Sequence, residues 1–349
     1  MRYGNVYIEA FGYELPKNVV SSIELEERLA PVYQKLGLSY GRFELMTGIR
    51  ERRYWDEDSP PSRSSIAAAE KAVANSGIPK EEFGCLLHSS VSRDYLEPAT
   101  AFVVHDSLGL PAKALIFDIS NACLGFANGI VTLANMIELG QVKAGIVVGS
   151  ESSGRVVDVT IQELLEDTDM TRDKLKPCFA TLTLGSGAVA AVLAHRSLSN
   201  SGHKLLGGAV RTASEHNGLC RIEADTSFFD VADTMIMRTD YEGVLKNGLA
   251  LAAETWKDFK KELDWHGSDV DRIFCHQVSG VHGKLLFDIL GLDESKSFHT
   301  VEYLGNVGSV SLPISAAIAI EEGRVTEGDK VVMLGGGSGL SSIMLGLRW

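Results

Sequence analysis

The sequence predicts an α/β protein built from two similar units, whose central helices pack back to back between two sheets. Short β-rich apolar runs alternate with longer Ala/Gly-rich stretches of helical character. The runs also recur as matched pairs, in the same order, in the two halves of the chain. Finally, the interval from Cys123 to Gly140 equals that from Asn306 to Gly323.

The first pair sets a strand over Cys85–Ser90, followed by Val91-Ser92, against one over Arg272–Gln277, followed by Val278-Ser279. In the second, a strand over Ala114–Asp118 leads into Asn121-Ala122-Cys123 and a helix ending at Glu138-Leu139-Gly140. Its counterpart is a strand over His299–Tyr303, then Gly305-Asn306 and a helix ending at Glu322-Gly323. The third pair is Ala144–Gly149 against Lys330–Gly335. The turns Gly185-Ser186-Gly187 and Gly337-Ser338-Gly339 each precede a final apolar strand. One such match arises easily by chance; four in order do not. The halves are then residues 1–195 and 196–349. The first carries an insertion at about 153–183, rich in Asp, Glu and Thr and suited to a lid or a dimer-facing flap.

With 349 residues, 45% of them hydrophobic, the chain can bury a large core. A formal net charge of −13 argues against nucleic acid or an anionic membrane as partner. Asn5 and Glu9 interrupt the apolar residues at the start, so no export signal is expected, and no run is long enough to span a bilayer. Cys85, Cys123, Cys178, Cys220 and Cys275 are odd in number and hold no C-x-x-C pair. Reduced thiols in the cytoplasm fit better than a disulfide framework or a zinc site.

Cys123 follows an extended segment and opens an apolar helix. There the helix dipole and free N–H groups favour the thiolate and lower the thiol pKa. The plainer reading is a buried, space-filling thiol. His276 ends a strand and Asn306 sits in a glycine-flanked turn; alone, each reads as structural. The repeat changes this, because equivalent strand ends of pseudo-symmetric halves meet at one place. Together, Cys123 supplies a nucleophile, while His276 and Asn306 can donate hydrogen bonds to a developing oxyanion or enolate.

Thr47-Gly48-Ile49-Arg50, Asn121-Ala122-Cys123, His276-Gln277, Gly305-Asn306 and Gly335-Gly336-Gly337-Ser338-Gly339 resemble the β-ketoacyl synthase III branch of the thiolase superfamily, over essentially the whole chain. That resemblance implies the thiolase fold, a five-layered αβαβα arrangement. Ser90 to Pro98 and the final Trp349 look most similar to the OleA-type acyl-CoA condensing thiolases of bacterial olefin biosynthesis. For these the resemblance implies a homodimer that joins two fatty acyl-CoA molecules without decarboxylation. No cofactor is implied beyond the coenzyme A thioesters themselves, and downstream olefin-pathway enzymes would take the product. Cys123 would carry the acyl group, with an oxyanion hole formed by its own N–H and the Gly337-Ser338 loop.

Glu97 separates the branches. A decarboxylating synthase obtains its carbanion from malonyl thioester, whereas a non-decarboxylating enzyme must remove a weakly acidic α-proton and needs a base. Degradative thiolases use a second cysteine in the C-terminal glycine-rich loop; here Met333-Leu334-Gly335 holds none. A carboxylate in a buried acyl-channel loop would have the raised pKa the task requires, and the resemblance implies that the neighbouring subunit supplies it. The alternative is an exposed loop glutamate paired with Arg93.

Ser279 and Val281 stand where primer-type synthases hold the Asn and Arg that dock acyl carrier protein, which argues against that partner. Arg42 and Met46 replace the Trp and Arg that hold coenzyme A there. Arg50, Arg52 and Arg53 are candidate phosphate contacts or, alternatively, surface ion pairs. The expected activity is condensation of two acyl-CoA molecules to a 2-alkyl-3-oxoacyl-CoA. The rivals are a decarboxylating synthase and a non-catalytic acyl-binding or partner subunit. Phe102, Phe126, Phe228 and Phe229 are candidate walls of an acyl channel.

Overall fold

The structure, a computed structural model, describes residues 1–223 and 235–349. Its strands in the first half are β1 (Val6–Glu14), β2 (Asn18–Ser21), β3 (Glu51–Tyr54), β4 (Phe83–Ser89), β5 (Leu115–Ile119), β6 (Ala144–Glu151) and β7 (Gly187–His195). Those in the second are β8 (Lys204–Thr212), β9 (Cys220–Glu223), β10 (Ile236–Thr239), β11 (Arg272–Cys275), β12 (Lys330–Gly337) and β13 (Ser341–Arg348).

The main sheet runs β11-β12-β13-β8-β1-β7-β6-β4-β5. β1 and β8 meet through one ladder pairing, Tyr7 with Lys204, and the sheet divides there into two parts. Each part repeats one pattern. β4 is parallel to β6, which runs antiparallel to β7, which runs antiparallel to β1. In the other half β11 is parallel to β12, then β13 and β8 follow antiparallel.

The helices give the five expected layers. Gly125–Glu138 and Ser311–Glu321 share one core with the inner faces of both sheet parts, through Phe126, Ile130, Leu133, Ile314 and Ile318. The second of these helices is apolar all round, as a central layer demands. Pro61–Ser76 and Thr100–Leu108 cover the outer face of the N-terminal part. Tyr241–Leu263 and Gly280–Leu290 cover that of the C-terminal part. Both central helices end alike, with Gly140 and Gly323 at φ 71° and 67°, where a side chain would be strained.

The strand predicted over His299–Tyr303 is absent: Val301–Leu304 is a short helix, and Ser297 makes only an isolated bridge to Ile273. Gln277 explains this. Its side-chain oxygen accepts the N–H groups of Thr300 and Val301 at 2.8 and 2.9 Å, and its amide donates to the Phe298 carbonyl at 2.8 Å. Backbone groups that a strand would pair are therefore satisfied by one side chain. The insertion packs Val157, Ile161 and Leu164 against Leu25, Leu29 and Val32, so it is a fixed helical wall on the N-terminal segment. Among the described residues no helix is long and apolar enough to cross a membrane.

Candidate active site

Past β5 the chain turns sharply into the helix Gly125–Glu138. Ala122 takes φ 45°, a left-handed conformation that costs a residue with a Cβ about 1–3 kcal/mol. Cys123 follows, immediately before the N-cap Leu124. Its own N–H and that of Ser338 lie near enough to its sulfur to favour the charged form. Gly337 makes room for this approach: a Cβ there would stand 3.0 Å from Leu124 Cγ. The Gly337-Ser338 loop thus lies where an oxyanion hole is expected.

The low thiol pKa predicted from the helix N-terminus is not found. Burial pushes the Cys123 thiol up to about 12, with Cys220 and Glu151 adding to the shift; the two N–H groups oppose it and lose. Desolvation of a charged sulfur outweighs two backbone dipoles.

His276 extends β11, its N–H bonding the Leu334 carbonyl at 2.9 Å. Burial, then the neighbouring His282, lower its pKa to about 3, so the ring is neutral. Nδ1 is sealed without a hydrogen-bond partner. A bare lone pair is the cheaper atom to bury there, which puts the proton on Nε2 and makes that nitrogen a donor. Asn306 is held by backbone bonds to Thr183 (2.8 Å) and Gly185 (2.9 Å). Only glycine fits before it, because a Cβ on Gly305 would come 2.6 Å from the Thr183 carbonyl. The Asn306 side-chain oxygen accepts the Gly308 N–H at 3.1 Å, so its NH2 group is left to donate.

These three residues line one cavity of about 440 Å³ with Gly337 and Ser338. Val156 and Ala180 of the insertion form part of its wall, and apolar residues of the helix Tyr241–Leu263 another. Phe126 packs in the core directly behind Cys123, whereas Phe102 is half exposed beside the β5 edge. Phe228 and Phe229 lie outside the described residues.

The structure does not bring Glu97 to this cavity. It sits exposed in the loop between β4 and the helix Thr100–Leu108, so the burial expected of a base is absent within a single chain. The three arginines also disperse. Arg52 is fully buried and donates to the Val20 and Leu182 carbonyls, out of reach of a phosphate in solvent. Arg53 donates to the Pro16 carbonyl, and Arg50 pairs with Glu302 at 2.8 Å.

Sequence reasoning missed Glu151. This buried carboxylate lines the cavity and accepts the N–H groups of Val91, Ser92 and Ser309 at 3.1, 3.2 and 3.3 Å, together with both serine hydroxyls. It ties the loop leading to Glu97 to the turn after Asn306. The repeat held the signal: aligning Ala144–Gly149 with Lys330–Gly335 places Glu151 opposite Gly337.

Models of the 3-oxoacyl-[acyl-carrier-protein] synthase III family match residues 117–214, and of its C-terminal region residues 261–349. The acyl-CoA:acyl-CoA alkyltransferase of Shewanella oneidensis is 44% identical over 352 aligned residues, covering 100% of both chains. The chain belongs to the synthase III-like thiolase family, on the branch of these alkyltransferases. A second member of the branch, from Xanthomonas campestris pv. campestris, is 36% identical with 100% of both chains covered. The crystal structure of a cysteine-to-serine variant of Xanthomonas campestris OleA, with bound lauric acid and lauroyl-CoA, superposes with a TM-score of 0.93. It is 35% identical and spans 99% of this chain and 100% of that one. The layered α/β fold thus belongs to a family architecture.

Proposed function

We propose that this protein condenses two fatty acyl-CoA molecules without decarboxylation, giving a 2-alkyl-3-oxoacyl-CoA. The observation that carries the reading is the convergence of Cys123, His276 and Asn306 at one end of a largely apolar cavity. The Cys123 thiol loses its proton as its sulfur attacks the first thioester carbonyl, the N–H groups of Cys123 and Ser338 hold the oxyanion, and coenzyme A leaves as the thiol after taking up a proton. The second acyl-CoA places its carbonyl oxygen against His276 Nε2 and the Asn306 NH2. A base removes its α-proton, the carbanion attacks acyl-Cys123, and the carbon–sulfur bond breaks to return the thiolate. Every step is an acyl transfer, to sulfur or to carbon, or a proton transfer, so the chemistry calls for no metal or redox group. The product remains a coenzyme A thioester, available to a downstream olefin-pathway enzyme.

The base in this reading is Glu97 of a second copy. In support, β5 is an edge strand among the described residues, with Leu115 53% exposed on it and Leu96 64% exposed in the loop that carries Glu97. An open edge flanked by apolar side chains is suited to strand pairing with another chain. A homodimer formed there would bury the loop that carries Glu97. The exposure of Glu97 in one chain favours the rival reading, a decarboxylating synthase that needs no base. Acyl carrier protein fits poorly, because Val281 stands exposed where a docking arginine would be needed.

One mixing experiment separates these readings. Glu97→Gln and Cys123→Ala should each be inactive with palmitoyl-CoA. Unfolding and refolding them together should restore activity, because one site in each mixed dimer then has both groups. An active Glu97→Gln variant, or turnover that requires malonyl thioester, would sink the proposed reaction.

A further inference from the structure

The helix Tyr241–Leu263 presents one face to the cavity through Tyr241, Val244, Leu245, Gly248, Leu251 and Ala252. The spacing is that of a buried apolar stripe, and a large side chain is expected at its centre. Glycine stands there instead. Three physical reasons can hold a glycine in a helix: a left-handed backbone, a close neighbour, or a need for space. Gly248 is not among the positive-φ glycines. Among the described residues, its own stretch of helix apart, no atom lies within 4 Å of where its Cβ would be. Space is the remaining reason, and it is held against helix propensity, since alanine would favour the helix.

We propose that Gly248 is a specificity-determining residue, leaving a gap in the cavity wall through which a long acyl chain runs. This rests on the condensing-enzyme reading and deepens it, naming a residue that sets which acyl-chain lengths the cavity accepts. A side chain at position 248 fills the channel without meeting the backbone. It therefore selects against chains that must pass this point and leaves the reacting groups in place.

The test compares kcat/KM for palmitoyl-CoA with that for octanoyl-CoA in the wild type, G248L and G248A. In G248L the palmitoyl-to-octanoyl ratio should fall by about tenfold or more, as expected when several methylenes lose their space. G248A should move the ratio in the same direction by about twofold, while raising the thermal midpoint by about 1–2 °C. That pairing of a firmer helix with poorer long-chain turnover is not produced by general damage. G248A carries the test if G248L does not fold. An unmoved ratio, or an equal loss with both substrates, overturns the proposal. Intact-mass measurement of acyl-Cys123 distinguishes the two levels. If the wild type is acylated but the ratio does not respond, only the role of Gly248 falls. If no acyl-CoA acylates Cys123, the condensing reading falls with it.

Discussion

β6 and β12 occupy the same place in the two halves, yet β6 ends in Glu151 and β12 in Gly337. At one strand end a buried carboxylate raises the Cys123 thiol pKa; at the other, a bare backbone lets the Ser338 N–H reach the same sulfur and lower it. The turns into the central helices diverge likewise, one delivering Cys123 and the other Asn306 to the cavity. The repeat thus brings two pairs of equivalent positions to the cavity, Glu151 with Gly337 and Cys123 with Asn306, and each pair has diverged. In the proposed mechanism the first half therefore holds the acyl carrier, and the second the donors for the attacking substrate.

The largest effects should break this division of labour. Cys123→Ala should abolish coenzyme A release from any acyl-CoA. His276→Ala and Asn306→Ala should each cut condensation by about 10²–10³-fold, the usual cost of one oxyanion donor. Both should still form acyl-Cys123, seen as a stoichiometric burst of coenzyme A without product. If either loses the burst as well, the two halves do not divide the reaction in this way.

A smaller effect sharpens the contrast between Glu151 and Gly337. Glu151→Gln removes a negative charge near the sulfur, so the pH midpoint for alkylation of Cys123 by iodoacetamide should move down. The same change turns an NH2 group toward donors that need an acceptor, at a cost of about 1–3 kcal/mol in a urea titration. An unmoved alkylation midpoint in a destabilised protein would reduce Glu151 to a structural tie.

The last effect is on stability and is confined to acid pH. The His276 pKa falls from 6.5 in the open chain to about 3 in the fold, so the unfolded state binds more protons between those values. The stabilisation it contributes is complete above about pH 6.5 and is lost as pH drops toward 3, by up to about 1.4 kcal/mol per pH unit. His282 is shifted in the same direction. Replacing His276 by Gln should flatten the acid limb of a urea-midpoint profile.

The repeat, the five layers and the three convergent residues were legible because they follow from periodicity and equal spacing, both local properties of the chain. His299–Tyr303 was misread because a distant side chain, Gln277, captures its backbone groups, and no pattern within the segment shows that. The helix N-terminus at Cys123 was read correctly, but its electrostatic sign was overruled by burial, which depends on everything packed around it. Arg52 looked like a surface cation because arginines usually are; here the carbonyls of Val20 and Leu182 hold it inside. The setting of Glu97 was beyond reach for a different reason, since within one chain it lies away from the cavity.

The open edge of β5 bears on how the protein must be handled as well as on its chemistry. Unpaired strand groups beside apolar side chains are open to other extended segments, so if the proposed homodimer forms here, a lone chain competes between meeting its partner and clumping with misfolded chains. Yield on expression or refolding should then depend on how fast copies find each other. A charged residue placed on that edge to improve solubility would work against assembly.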